Sequence, residues 1–107
     1  MKQMNATELA ALLAKGVKPI MIDVREEHEL SHGVIDNIIH IPMQQVPDKL
    51  PQLATNKDQT TVIICRTGNR SNTVGQFLEQ NGFTDVINLA GGMNSWASDV
   101  DTSMTVY

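Results

Sequence analysis

Cys65 is the only cysteine in this chain, and the residues that follow it, Arg66-Thr67-Gly68-Asn69-Arg70-Ser71, surround it with anion-binding groups. The run before it, Thr61-Val62-Ile63-Ile64, is apolar and β-branched, the pattern of a short strand buried on both faces. From Ser71 the pattern changes to helix, with Val74, Phe77 and Leu78 on one face and Gly82 as the expected stop. A cysteine at the end of such a strand faces the first turn of the next helix. There, unpaired N–H groups and the helix dipole favour negative charge, so the thiolate is the preferred form. Gly68 can take the positive φ of a tight reversal, which lets the N–H groups of Thr67 to Ser71 point inward as a nest. Arg66 and Arg70 add two permanent charges that can hold a sulfonate- or phosphate-like anion. No Asp or Glu lies between Asp58 and Glu79, so a locally positive site is expected in a chain with 12 acidic against 8 basic residues.

The ordinary reading of one cysteine after an apolar run is an inert core residue. The two arginines and the glycine argue otherwise. A buried structural cysteine gains nothing from neighbouring guanidinium groups, whereas a nucleophile needs an electropositive, partly open site. A single cysteine also excludes an internal disulfide, a Cys-rich zinc site and a resolving cysteine in the chain. Any atom loaded onto Cys65 must therefore leave to an external acceptor.

A second pattern competes with the first. His28-Glu29-Leu30-Ser31-His32 spells His-Glu-x-x-His, which on a helix sets two zinc ligands and a general base on one face. Here Gly33 follows at once, the helix would be barely two turns, and a third ligand would have to be His40 or the distant Glu79. The segment is therefore read as a solvated polar turn, and no metal is expected. Trp96 reads as a core anchor, and the six scattered methionines as filler.

The elements that must position Cys65 alternate. Met1 to Lys15 reads as an amphipathic helix, with Leu9, Leu12 and Leu13 on one face, Asn5 and Glu8 as its capping box and Gly16 at its end. A strand at Ile20 to Val24 follows, then a helical turn near Glu26 to Ser31, a strand near Ile38 to Ile41, and a short helix interrupted by Pro47 and Pro51. After the cysteine strand and its helix come a strand at Val86 to Leu89 and a short helix opened by Gly91-Gly92 that carries Trp96. The tail from Asp99 to Tyr107 has weak periodicity and is expected to be loosely docked or frayed. This alternation implies an α/β domain over residues 1–107, with a mostly parallel sheet of about four or five strands and helices on both faces. The length leaves no room for a second domain. With no secretory signal and no apolar run long enough for a bilayer, a soluble cytoplasmic protein is expected, with neither a membrane nor a nucleic acid as partner.

Four segments together resemble the rhodanese-like sulfurtransferases. The loop from Cys65 is similar to that family's Cys-Arg-x-Gly-x-Arg or Ser pattern. Ile22-Asp23-Val24-Arg25-Glu26 resembles its first strand and Asp-Val-Arg-Glu exit, Ile39-His40-Ile41-Pro42 its Ile-Asn-Ile-Pro segment, and Gly91-Gly92-Met93-Asn94-Ser95-Trp96 its Gly-Gly-Met-x-x-Trp signature. One segment departs: Gly33-Val34-Ile35-Asp36-Asn37-Ile38 stands where the family commonly has Gly-His-Ile-Pro-Gly-Ala.

The resemblance implies a rhodanese-like fold and a sulfurtransferase of the thiosulfate type. Cys65 would be the nucleophile that takes a sulfur as a persulfide. Arg66, Thr67, Gly68, Asn69, Arg70 and Ser71 would bind the anionic donor, and cyanide or a thiol, including one on a protein, would accept the sulfur. No metal or organic cofactor is implied. Asp23 and Arg25 would support the loop through hydrogen bonds, although a helix-cap and surface-pair reading suits them as well. Cysteine-dependent phosphatases of the same fold are one alternative, but they carry Cys-x-x-x-x-x-Arg, which would require arginine at position 71, where this chain has Ser71. A non-catalytic sulfur-carrier or regulatory module is the other.

Overall fold

The computed structural model describes all 107 residues. Five strands, β1 (Lys2–Met4), β2 (Ile20–Asp23), β3 (Ile39–His40), β4 (Thr61–Ile64) and β5 (Val86–Leu89), form one sheet in the order β1-β5-β4-β2-β3. Every neighbouring pair is parallel. β4 lies at the centre, with Ile63 opposite Ile22 on one side and Asn88 on the other. Because side chains alternate across a strand, Val62 and Ile64 enter one face and Ile63 and Cys65 the other. The first face is covered by α1 (Ala6–Ala14) and α4 (Gly92–Asp99), through Ala6, Leu9, Met93 and Trp96. The second is covered by α2 (Val46–Leu53) and α3 (Asn69–Gln80), through Val46, Val74 and Leu78. This is the parallel α/β architecture the alternation implies, with Cys65 at the carboxyl end of the middle strand on the α3 face.

Several local expectations change. The first residues are not helical: Lys2 to Met4 pair with Ile87 to Leu89, and α1 starts only after Asn5. Lys2-Gln3-Met4 is exposed or half-exposed, so it has no buried face to advertise a strand; pairing with β5 makes it one. The capping box forms as read, with the Glu8 N–H donating to Asn5 Oδ1 at 2.9 Å and the Asn5 N–H to Glu8 Oε1 at 3.0 Å.

The prolines do not interrupt α2. Pro47 falls in its first turn, where the missing N–H has no partner to lose, and the helix runs through Pro51 to Leu53. α3 begins at Asn69, two residues before Ser71, because Gly68 caps it in the left-handed region at φ 102°. In the departing segment Asn37 adopts φ 69°, a conformation asparagine tolerates better than most residues, and Ile35 is buried. No helix is long and apolar enough to cross a membrane.

Candidate active site

The loop after β4 is tied down from below by α4. Met93 N–H donates to the Cys65 carbonyl at 2.9 Å and Asn94 N–H to the Arg66 carbonyl at 3.0 Å. This approach needs Gly92: it sits at φ 57°, and a Cβ there would overlap both carbonyl groups. The Gly91-Gly92 pair thus lets a helix N-terminus butt against the loop that carries the cysteine.

Above this floor the loop folds over the sulfur. Gly68 N–H donates to Cys65 Sγ at 3.1 Å, and the Ser71 hydroxyl lies 3.3 Å from it. Burial raises the thiol pKa, but the Ser71 hydroxyl and the N–H groups of Ser71, Gly68 and Thr67 outweigh it, so the net shift is downward. The nest read from the sequence is therefore present. The partly open setting is not, because Cys65 is only 1% exposed.

Ser71 is likewise enclosed. It is fully buried, and its hydroxyl also donates to Asn88 Oδ1. The Asn88 orientation is fixed by its amide, which donates to the Gly68 carbonyl at 3.2 Å and to Gln3 Oε1 at 2.8 Å. Ser71 belongs to the support of the sulfur, while Arg66, Thr67 and Asn69 are exposed at the mouth.

The arginines are less free than the sequence suggests. Arg70 Nη1 and Nη2 donate to Glu29 Oε2 and Oε1 at 2.7 and 2.8 Å, a bidentate pair. The sequence-local absence of acidic residues misleads here, because the turn Glu27–His32, a 3-10 helix, brings Glu29 across to the loop. The Arg70 pair, opposed by burial and helped by the Glu26 N–H and the Tyr107 hydroxyl, holds the Glu29 carboxyl down to about 2. Arg66 carries no carboxylate partner. Its guanidinium lies 4.9 Å from the centre of the Tyr107 ring.

Asp23 and Arg25 are not a surface pair. Both are fully buried, with Arg25 Nη2 and Nε donating to Asp23 Oδ2 and Oδ1 at 2.8 and 3.0 Å. Arg25 then reaches the Gly33 carbonyl at 2.9 Å and the Tyr107 hydroxyl at 3.2 Å. The pair braces the turn that carries Glu29, and bears on the cysteine loop through Glu29 and Arg70 and through Tyr107 and Arg66.

The tail is docked rather than frayed. Tyr107 accepts from Arg25 and donates to Glu29 Oε1 at 3.0 Å; its ring stacks on His32 at 4.0 Å, and its backbone N–H donates to Asn94 Oδ1 at 2.9 Å. In the His-Glu-x-x-His segment, His28 is exposed, His32 stacks on Tyr107 and Glu29 is paired with Arg70. The tight 3-10 winding does not set the three on one face.

Three residues that hold the loop and its arginines carry little signal in the sequence. Asn88 could have been found as the one polar residue in the buried strand Val86–Leu89. Glu29 was visible only as part of a zinc-like pattern. Tyr107 left no signal beyond being the single tyrosine.

Residues 5–99 match the rhodanese-like domain. This chain belongs to the rhodanese-like domain family. It is 36% identical to YtwF of Bacillus subtilis (strain 168) over 98 residues, which are 92% of each chain. It is 32% identical to a sulfurtransferase of Allochromatium vinosum over 95 residues, 89% of this chain and 87% of that one. Among solved structures, a rhodanese-like domain protein from Staphylococcus aureus superposes with a TM-score of 0.83 at 34% identity, covering 100% of this chain and 99% of the other. Within a rhodanese-like domain, a lone cysteine beneath a ring of N–H donors has the equipment to carry a nucleophilic sulfur.

Proposed function

We propose that this protein moves sulfane sulfur from thiosulfate or a related donor to cyanide or a thiol, including a protein thiol, through a persulfide on Cys65. The observation that carries the reading is the Cys65 sulfur at the end of β4, held by the Gly68 N–H at 3.1 Å and the Ser71 hydroxyl at 3.3 Å at the head of α3, contacts that favour its thiolate. With thiosulfate, the Cys65 thiolate attacks the outer sulfur and the donor S–S bond breaks. Its electron pair departs with sulfite, leaving Cys65–S–S⁻ among the loop N–H groups. An acceptor thiolate or cyanide attacks the terminal sulfur next and returns the Cys65 thiolate. Arg66 is the mouth cation without a carboxylate partner, and so the group on which an anionic donor first lands. The chemistry draws on no metal or organic cofactor, and a reduced compartment such as the cytoplasm suits a working free thiol.

Intact-mass analysis tests the reading. Exposure to thiosulfate or an alkyl persulfide adds one sulfur atom, removed by cyanide or a reductant, and Cys65→Ser does not acquire it. A serine variant that transfers sulfur as fast as the unmodified chain would defeat the proposal.

A further inference from the structure

The mouth of the site is neutralised from within. Arg70 faces the Glu29 carboxylate and Arg66 the Tyr107 ring, while Arg25 and Asp23 neutralise each other in the interior. Two positive charges, on Arg66 and Arg70, meet the Glu29 carboxylate and the Cys65 thiolate, so no net formal charge remains. The Nη1–Nη2 edge of Arg70, one of the edges that could fork around an anion, is held by Glu29. Glu29 is held in turn by the Glu26 N–H at 2.8 Å and by the Tyr107 hydroxyl. One face of Arg66 is occupied by the Tyr107 ring, which His32 backs from its other side. A dianion approaching the thiolate therefore finds its two nearest cations already engaged, and must compete with a bidentate carboxylate for one and an aromatic face for the other.

Resting on the sulfur-transfer reading above, we propose that Glu29 and Tyr107 are specificity-determining residues, which set this site against small dianionic donors such as thiosulfate and in favour of persulfides of low charge. With an alkyl persulfide R–S–SH, the Cys65 thiolate attacks the terminal sulfur and the donor S–S bond breaks. Its electron pair leaves as R–S⁻, and the proton stays on the transferred sulfur, giving Cys65–S–SH. No dianion enters or leaves. Pairing an internal carboxylate with the clamp discriminates by repulsion, a device as effective as added attraction.

The test measures kcat/KM for thiosulfate and for an alkyl persulfide in the unmodified chain, Glu29→Gln and Tyr107→Ala, each at low and high salt. Glu29→Gln keeps the shape and one acceptor while releasing charge from Arg70. Its thiosulfate kcat/KM should rise about tenfold, the scale of one charged hydrogen bond, with persulfide use changed by less than about threefold. Thiosulfate use should become more steeply dependent on salt, because an unmatched cation now steers the donor.

Tyr107→Ala should raise thiosulfate use in the same sense by freeing Arg66, and it carries the test if Glu29→Gln does not fold. Equal changes on both donors, or a selective loss of thiosulfate use, would overturn the proposal and make Glu29 a strut for the loop. Absence of any sulfur on Cys65 from either donor in the unmodified chain would instead defeat the sulfur-transfer reading, and this inference with it.

Discussion

Ser71 has one hydroxyl proton and two acceptors, Asn88 Oδ1 and the Cys65 sulfur. While Cys65 is a thiol, its own S–H can donate to Ser71, leaving the hydroxyl proton on Asn88. Once the sulfur ionises, the hydroxyl can turn to it, and the backbone N–H groups supply the rest. Ser71→Ala should therefore raise the thiol pKa, because the charged sulfur loses one hydrogen-bond donor. The rate of iodoacetamide alkylation against pH reads this directly, and an unchanged profile would assign the acidity to the backbone alone. Arg70 obeys a different logic. Arg70→Ala strands a carboxylate whose side chain is only 10% exposed, and should cost about 1 to 3 kcal/mol of stability in urea unfolding. That loss is separate from any effect on donor binding, so activity must be read at a temperature where the variant is folded.

At the scale of elements, the legible parts of the sequence were those whose evidence is local. Thr61 to Ile64, Val86 to Leu89 and the Asn5–Glu8 box declare themselves by β-branching, burial or cap chemistry within a few residues. The cysteine loop was legible for the same reason, as a nucleophile and its N–H donors are contiguous. What stayed hidden depends on residues brought together by the fold. β1 takes its form from a partner 85 positions away, and the Glu29–Arg70 pair spans 41. Tyr107 joins Arg25 across 82. Charge counted along the chain around Cys65 could not register Glu29, because Coulomb's law acts through space. Gly91-Gly92 reads in the sequence as a helix opening, and the closer role of Gly92 is steric. Gly92→Ala, at φ 57° and against two carbonyl groups, should lower stability by about 2 to 4 kcal/mol. Hydrogen exchange should also quicken at Met93 and Asn94, whose amides hold the loop. Gly16→Ala, where a Cβ meets nothing, serves as the control for backbone strain alone.

Across the whole molecule, the Glu29–Arg70 pair links stability to pH. The folded carboxyl sits at about 2 against an ordinary value of 4.5, so the folded state binds its proton less readily than the unfolded one. The contribution is complete above pH 4.5 and lost as pH falls toward 2. Its ceiling is on the order of 3 kcal/mol, from 1.36 kcal/mol per unit. Urea midpoints between pH 2 and 7 should fall on the acid side with a slope that Glu29→Gln reduces. An identical slope in the variant would mean that other carboxylates carry the acid sensitivity.

The pairing of Lys2–Met4 with Ile87–Leu89 also sets an order of events during biogenesis. As a nascent chain leaves a ribosome, residues 2–4 emerge well before residues 87–89 and have no partner until these follow. Only then can Gln3 fix Asn88, and Asn88 fix the hydroxyl beside the sulfur. So distant a parallel contact forms late and slowly. The thiol therefore gains its full acidity only with completion of the sheet edge. Until that step the hydrogen bonds that gather around the sulfur are incomplete, so closing the sheet edge and finishing the site are one event.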